Sequence, residues 1–477
     1  MAISFVDNFV LTIDGKKVAS SETKDVINPA TEEPFAVAPI ATPQHLEDAV
    51  NAASRALPSW SATPVEKRQE MLSNLGDLVA RHLQQFAELL SKEVGKPKAA
   101  AGKEVGGLVA WLKAAVSHSL PDETIVDTPQ RKVVVRYVPL GVCAAITPWN
   151  FPLTLMAWKL VPALVTGNCL IVKPSPFAPL GTLKFGELAQ QVLPPGVLSV
   201  LSGNDELGPW ISKHPGIAKI SLTGSVGTGK KAMASAASTL KRVTLELGGN
   251  DAAVVLDDVD PKAIAPKLFR GSFMNTGQVC VAMKRIYIHE NVYEAVRDAL
   301  VEYAKTVKVG DPLDPSNEVG PVQNQMQFEK VKIFFDDCDQ NGYKFALGGK
   351  LVEHRKGYFL PITIIDNPPE LSKIVQEEPF GPIVPLLRWN EEDDVVKRAN
   401  DTNLGLAASV WSNDLDRAQN IARRLEAGTV WINEVQTTHW DQPFGGFKQS
   451  GVGVEHSKHG LYSWVNIQSL TLNRALL

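Results

Sequence analysis

From Gly141 onward the chain repeats one pattern: a short apolar run about as long as a buried strand, then a stretch with helical spacing. The runs are VCAAI at 142–146, LIV at 170–172, VLSVL at 197–201, AKISL at 218–222 and RVTLEL at 242–247. Continuous apolar runs suit strands covered on both faces, and the intervals leave room for crossover helices. The pattern predicts an α/β fold with an open, parallel, doubly wound sheet. A second series, AAVVL at 252–256, RIYIH at 285–289, ASVWS at 408–412 and TVWIN at 429–433, predicts a second α/β domain. At 477 residues the chain is long enough for more than one core.

Upstream, a helix is predicted after Thr42 and Pro43, with Leu46, Val50, Ala53 and Leu57 on one face. Thr63, Pro64 and Glu66 read as a capping box with proline at the first helical position. Leu72, Leu75, Leu78, Val79, Leu83 and Phe86 carry that helix toward a stop near Gly95. Two segments fit neither series. RKVVVRYVP at 131–139 and YSWVNIQSLTLN at 462–473 alternate as half-buried strands do, and a neighbouring subunit would cover their open edges.

Several classes are excluded. A net charge of −4, without any Lys/Arg cluster, speaks against nucleic acid as a partner. The start, MAISFVDNFVLTIDG, lacks the pattern of a signal peptide, so a cytoplasmic protein is expected. The most apolar window, Leu153 to Val172, is interrupted by Lys159, Pro162, Gly167 and Asn168, and no membrane span is predicted. Cys143, Cys169, Cys280 and Cys338 are far apart without CxxC spacing, so neither a metal site nor a disulfide framework is expected.

SLTGSVGTGKK at 221–231 places a strand, a Gly-Ser turn and a helix start in succession, where free backbone N–H groups can bind phosphate. Gly224, Gly229 and Lys230 have the spacing of a nucleoside-triphosphatase loop. Lys231, however, stands where Ser or Thr should ligate magnesium, and no GxGxxG follows any predicted strand. ELGGN at 246–250 puts Glu246 at a strand end, as a cap or a base. NTGQVC at 275–280 puts the Cys280 thiol just past a helix end, as a core thiol or a nucleophile. PWNFP at 148–152 holds the Asn150 amide between two prolines, where it bonds its own turn or stabilises an oxyanion. EEPFGP at 377–382 and PFGGFKQSG at 443–451 are tight turns.

Together, ITPWNFP, IVKPS, SLTGSVGTG, LELGGN, GQVC, EEPFGP and PFGGFKQSG closely resemble the aldehyde dehydrogenase superfamily, in the family's order, from about Asn28 to Leu472. The resemblance implies a Rossmann-like doubly wound cofactor domain (1–120 and 140–248, with 450–460). It further implies a second α/β catalytic domain (249–449) and small β oligomerisation strands (121–139 and 461–477). A homodimer or homotetramer acting on a small-molecule aldehyde is expected.

By the same resemblance Cys280 is the nucleophile, forming a thiohemiacetal and then a thioester. Asn150 and the Cys280 backbone N–H hold the oxyanion, and Glu246 activates the water that releases a carboxylic acid. NAD or NADP would be bound by Ile146, Thr147, Trp149, Lys173, Ser175 and Pro176, by Gly224, Ser225, Leu247 and Gly248, and by Glu378 and Phe380. Many NAD-preferring members carry a glutamate three residues after the lysine. Here that position is Pro176, which removes a repulsion against a 2′-phosphate, so NADP is expected to be tolerated as well as NAD. Phe151, Leu155, Trp158 and Phe444 would line the substrate tunnel, with QTTHWDQ at 436–442 near its mouth; His439 there reads as a surface histidine. The rival readings are a coenzyme A-acylating semialdehyde dehydrogenase, a catalytically idle structural or binding relative, and a phosphate-loop nucleotidase.

Overall fold

The first apolar series forms the middle of an eight-stranded sheet in the computed structural model, which describes residues 3–351 and 356–474. Leu198–Val200, Cys169–Lys173, Val142–Ile146, Lys219–Thr223 and Arg242–Glu246 lie side by side and parallel, flanked by short antiparallel strands at Leu11–Ile13, Lys16–Val18 and Gly451–Val452. In chain order the five central strands run 3-2-1-4-5. The order therefore reverses between Val142–Ile146 and Lys219–Thr223, and a crevice opens beyond the carboxyl ends of strands at such a point.

The second series forms a seven-stranded sheet ordered Phe345–Leu347, Thr363–Asp366, Ile383–Trp389, Met283–His289, Asp251–Val255, Ala407–Trp411 and Thr429–Ile432. All of its strands are parallel except the first. Along Asp251–Val255, Ala252 and Val254 enter one apolar core while Ala253 and Val255 enter another, so both faces of the sheet are covered. The chain is α/β, as the alternation of apolar runs requires. The boundaries at 1–2 and 475–477, and residues 352–355 inside 249–449, lie outside the described residues.

Two local expectations are corrected. The helix expected from Thr63 to Gly95 is two, Val65–Arg81 and Leu83–Val94, broken at His82. No capping box forms at Thr63, because Thr63 ends the preceding helix Pro43–Ala62. Its backbone N–H donates to the Trp60 carbonyl and its hydroxyl to the Ser59 carbonyl at 2.9 Å. The capping box sits at Thr42 and His45 instead. Gly95 does stop the second helix, at φ +82°, a left-handed conformation that glycine adopts without strain.

The two alternating segments also find each other. Val465–Asn473 pairs antiparallel with Arg131–Pro139 over nine residues, and Glu123–Asp127 completes a three-stranded sheet. One edge of Val465–Asn473 nevertheless stays unpaired among the described residues. Ile467, Leu470 and Leu472 along it are more than half exposed.

Candidate active site

The segment before Cys280 is held in a conformation that most side chains avoid. Asn275 and Thr276 have φ of +52° and +60°, and a β-branched residue there is strained. Contacts from three directions hold it. The Asn275 amide donates to the Asn150 carbonyl at 3.2 Å, the Thr276 hydroxyl donates to the Gly320 carbonyl, and Gln278 accepts the Gln323 N–H. Gly277 packs so closely on the EEPFGP turn that a Cβ would lie 2.1 Å from the Gly381 carbonyl oxygen. The result fixes the half-buried Cys280 at the N-terminal side of strand Met283–His289.

Cys280 lines a cavity of about 250 Å³ with Asn150, Phe151, Leu155, Trp158 and Phe444. Asn150 does not fold back onto its own turn: its buried amide donates to the Gln278 carbonyl at 3.0 Å, 128 residues away. The Cys280 backbone N–H makes no hydrogen bond among the described residues. Burial pushes the Cys280 thiol up to about 12. Lys284 opposes this, while Asp251, Glu378 and Glu246 add to it. The resting group is therefore held as a thiol.

Glu246 ends strand Arg242–Glu246, fully buried, and neither carboxyl oxygen has a hydrogen-bond partner among the described residues. An orphaned buried carboxyl is costly, which makes Glu246 a candidate functional position. Burial, then the nearby Glu455, hold its proton affinity well above the usual carboxylate range, with Lys159 opposing. Lys159 and Glu455 form a buried ion pair at 2.7 Å, and the Ser221 hydroxyl donates to the same Glu455 oxygen at 2.9 Å. Sequence reasoning missed this pair. The one signal was a lysine inside the apolar run PLTLMAWKLVPALV, read only as an interruption.

A larger cleft of about 600 Å³ is lined by Ser225, Val226, Gly227, Lys330 and Glu378. Ser225 caps helix Val226–Ala236 and accepts the Thr228 N–H, which leaves other first-turn N–H groups facing the cleft. Gly224 donates to the Glu246 carbonyl at 3.0 Å. Glu378 accepts the Gly249 N–H and pairs with Lys284 at 3.3 Å, and a Cβ on Gly248 would meet its carboxylate at 2.4 Å. Lys284 also donates to the carbonyls of Val279 and Cys280. The cleft and the Cys280 loop are thus tied together by one lysine that the motifs did not indicate.

The remaining candidates surround the sheet crossover. Ile146 ends strand Val142–Ile146, and the N–H of Thr147 just after it donates to the Lys173 carbonyl. Trp149 meets Phe380 edge-on at 5.5 Å. Leu247 donates to the Ser450 carbonyl, and the Gly248 carbonyl accepts the Ser450 hydroxyl at 2.7 Å. Lys173, buried at its strand end, is pushed down to about 8 by burial; Asp205 opposes the shift and Lys24 adds to it. Ser175 accepts the Phe177 N–H, and Pro176 beside it is half-buried. His439 is exposed against Trp440 and Asp441. Among the described residues no group of three His, Cys, Asp or Glu side chains could hold a metal, and no helix is long and apolar enough to cross a membrane.

An orphaned carboxyl, a strained loop before Cys280, an anion-ready helix start and a cleft shaped by glycine fit a dinucleotide beside a thiol. The model of the aldehyde dehydrogenase family matches residues 17–470. Aldehyde dehydrogenase LUC3 of a Fusarium species is 42% identical over 461 residues, covering 96% of this chain and 98% of that one. Betaine aldehyde dehydrogenase of Staphylococcus aureus, solved in complex with NAD+, superposes with a TM-score of 0.95 at 32% identity, covering 98% of this chain and 95% of that one. An NADP-dependent enzyme of E. coli superposes equally well at 33% identity, with 98% of each chain covered.

Proposed function

The chain belongs to the aldehyde dehydrogenase family and oxidises aldehydes with NAD or NADP, and from that premise we propose that the reaction runs through a covalent thioester on Cys280 and releases a free carboxylic acid. The observation that carries this reading is the buried Glu246 carboxyl, without a hydrogen-bond partner among the described residues, set among the groups that perturb the Cys280 thiol. As a base, Glu246 activates the water that hydrolyses the thioester, while Lys284, which opposes the effect of burial on the Cys280 thiol, favours the thiolate that attacks the carbonyl. Asn150 and the Cys280 backbone N–H are the donors for the oxyanion, and Lys159 with Glu455 sets the field around Glu246. A nicotinamide held beside Trp149, Glu378 and Phe380 would supply the hydride acceptor that thioester formation requires. Product formation in the absence of coenzyme A tests the hydrolytic outcome; an absolute need for coenzyme A would overturn it.

Ser225, the first-turn amides behind it and Glu378 are the groups we assign to the dinucleotide in the cleft, with Trp149 and Phe380 packing beside it. Lys173 and Lys24 lie at the end where Pro176 removes a carboxylate. We expect NADP to be used with a kcat/KM within about a hundredfold of that for NAD, roughly 2.7 kcal/mol. Initial rates at matched aldehyde concentration check this, and a larger preference for NAD contradicts it.

The open edge of Val465–Asn473 completes the reading. A long strand with exposed Ile467, Leu470 and Leu472 is an aggregation hazard unless something covers it. We assign that role to a second copy of the chain, in a dimer or tetramer. Ile467→Lys with Leu470→Lys is expected to shift the assembly to monomer in light scattering at micromolar concentration; a wild-type monomer would contradict the assignment.

A further inference from the structure

We propose that the substrate carries an anionic group at the end remote from its aldehyde, held at the outer part of the Cys280 cavity by Arg270 and Lys103. The proposal rests on the reading of Cys280 as the nucleophile and narrows its substrate class.

The cavity joins two kinds of wall. Around Cys280 lie Phe151, Leu155, Trp158 and Phe444, which suit an apolar middle. Four charged side chains also line it: Lys96, Lys103, Glu104 and Arg270. Two of them cancel. Lys96 is buried in an ion pair with Glu104 and lies over the Phe151 ring, 3.4 Å from its centroid. Glu104 also accepts the N–H groups of Leu153 and Thr154, capping helix Pro152–Val165, which has no side-chain cap of its own. Its charge is thereby spent on the scaffold.

Arg270 and Lys103 differ. They come from separate helices, Pro261–Phe273 and Lys98–Ala114, both are exposed, and neither has an ion-pair or hydrogen-bond partner among the described residues. The cavity thus carries two uncompensated positive charges in a protein whose net charge is −4. Positive groups lining a narrow cavity focus the field on an entering anion. An arginine adds two-point recognition of a carboxylate, which lysine matches less well. A quaternary ammonium aldehyde would meet repulsion at the same place.

The test compares three aldehydes of similar length: 5-oxopentanoate, its neutral isostere 5-methylhexanal, and 4-trimethylammoniobutanal. Expected is a kcat/KM for 5-oxopentanoate at least about tenfold above that for 5-methylhexanal, falling as salt is raised, with the cation the poorest. In Arg270→Gln the ratio of anionic to neutral kcat/KM should fall at least about fivefold, further with Lys103→Gln added, and Arg270→Lys should restore part of it. Equal or inverted preference in the wild type, or an unchanged ratio in Arg270→Gln, overturns the proposal while leaving the thioester reading intact, provided 5-methylhexanal is oxidised in a Cys280-dependent way. Oxidation that survives Cys280→Ala overturns both.

Discussion

Cys280→Ala is expected to lower aldehyde-dependent formation of reduced nicotinamide by at least about 10⁴-fold, because removing a nucleophile costs nearly the whole covalent pathway. The variant should fold normally. The thiol is half-buried at the wall of a cavity, at the margin of the apolar core, and its side chain has no hydrogen bond to lose among the described residues. An unchanged thermal midpoint beside lost activity separates chemistry from stability. In the same assay Asn150→Ala should lose about a hundredfold or more, the size expected for one oxyanion donor at roughly 2.7–4 kcal/mol of barrier. Retained turnover in Cys280→Ala would move the chemistry elsewhere in the molecule.

Glu246→Gln separates the two halves of the reaction. With the hydrolytic base gone, acylation should give a burst of about one reduced nicotinamide per active site. A steady state slower than wild type by about 10²–10⁴-fold should follow. The pH dependence has a defined sign. Burial and Glu455 hold the Glu246 proton well above the ordinary carboxylate range, with Lys159 only partly opposing. The ionised, active form of Glu246 therefore grows as pH rises, over a range shifted above that of an ordinary carboxylate. Steady-state turnover of the wild type should rise with pH over that range, by up to about tenfold per unit while below that pKa. In Glu246→Gln the slow phase should lose this dependence. A flat wild-type profile across that range would remove Glu246 from the base role.

Much of this frame could be read from the chain alone because it depends on local pattern. Apolar runs such as VCAAI and AAVVL are strands since they are covered on both faces, and their spacing sets the parallel crossovers. Ser225 at a helix start and Glu246 at a strand end follow from the same strand and helix ends. What could not be read depends on partners distant in sequence. Thr63 carries a perfect capping-box signature, yet the preceding helix claims it first. The segments at 131–139 and 462–473 look like lone edges until the fold brings them together. Lys159 finds Glu455 across 296 residues, and only that contact turns an interruption in an apolar helix into a partner of the candidate base. Arg270 sits in the last turn of an ordinary surface-facing helix, where nothing in its spacing shows that a cavity opens beside it. Charge, burial and cavity shape are properties of assembled neighbours, so they emerge only with the tertiary structure.

The most direct test of the central claim is to catch the acyl group on its sulfur. Glu246→Gln is mixed with propanal and NAD, quenched in acid within the burst, digested and weighed by mass spectrometry. The peptide containing Cys280 should gain the mass of the aldehyde less two hydrogens, while those containing Cys143, Cys169 and Cys338 stay unmodified. An unmodified Cys280 peptide at the height of the burst, or an acyl group on any other residue, would contradict the account.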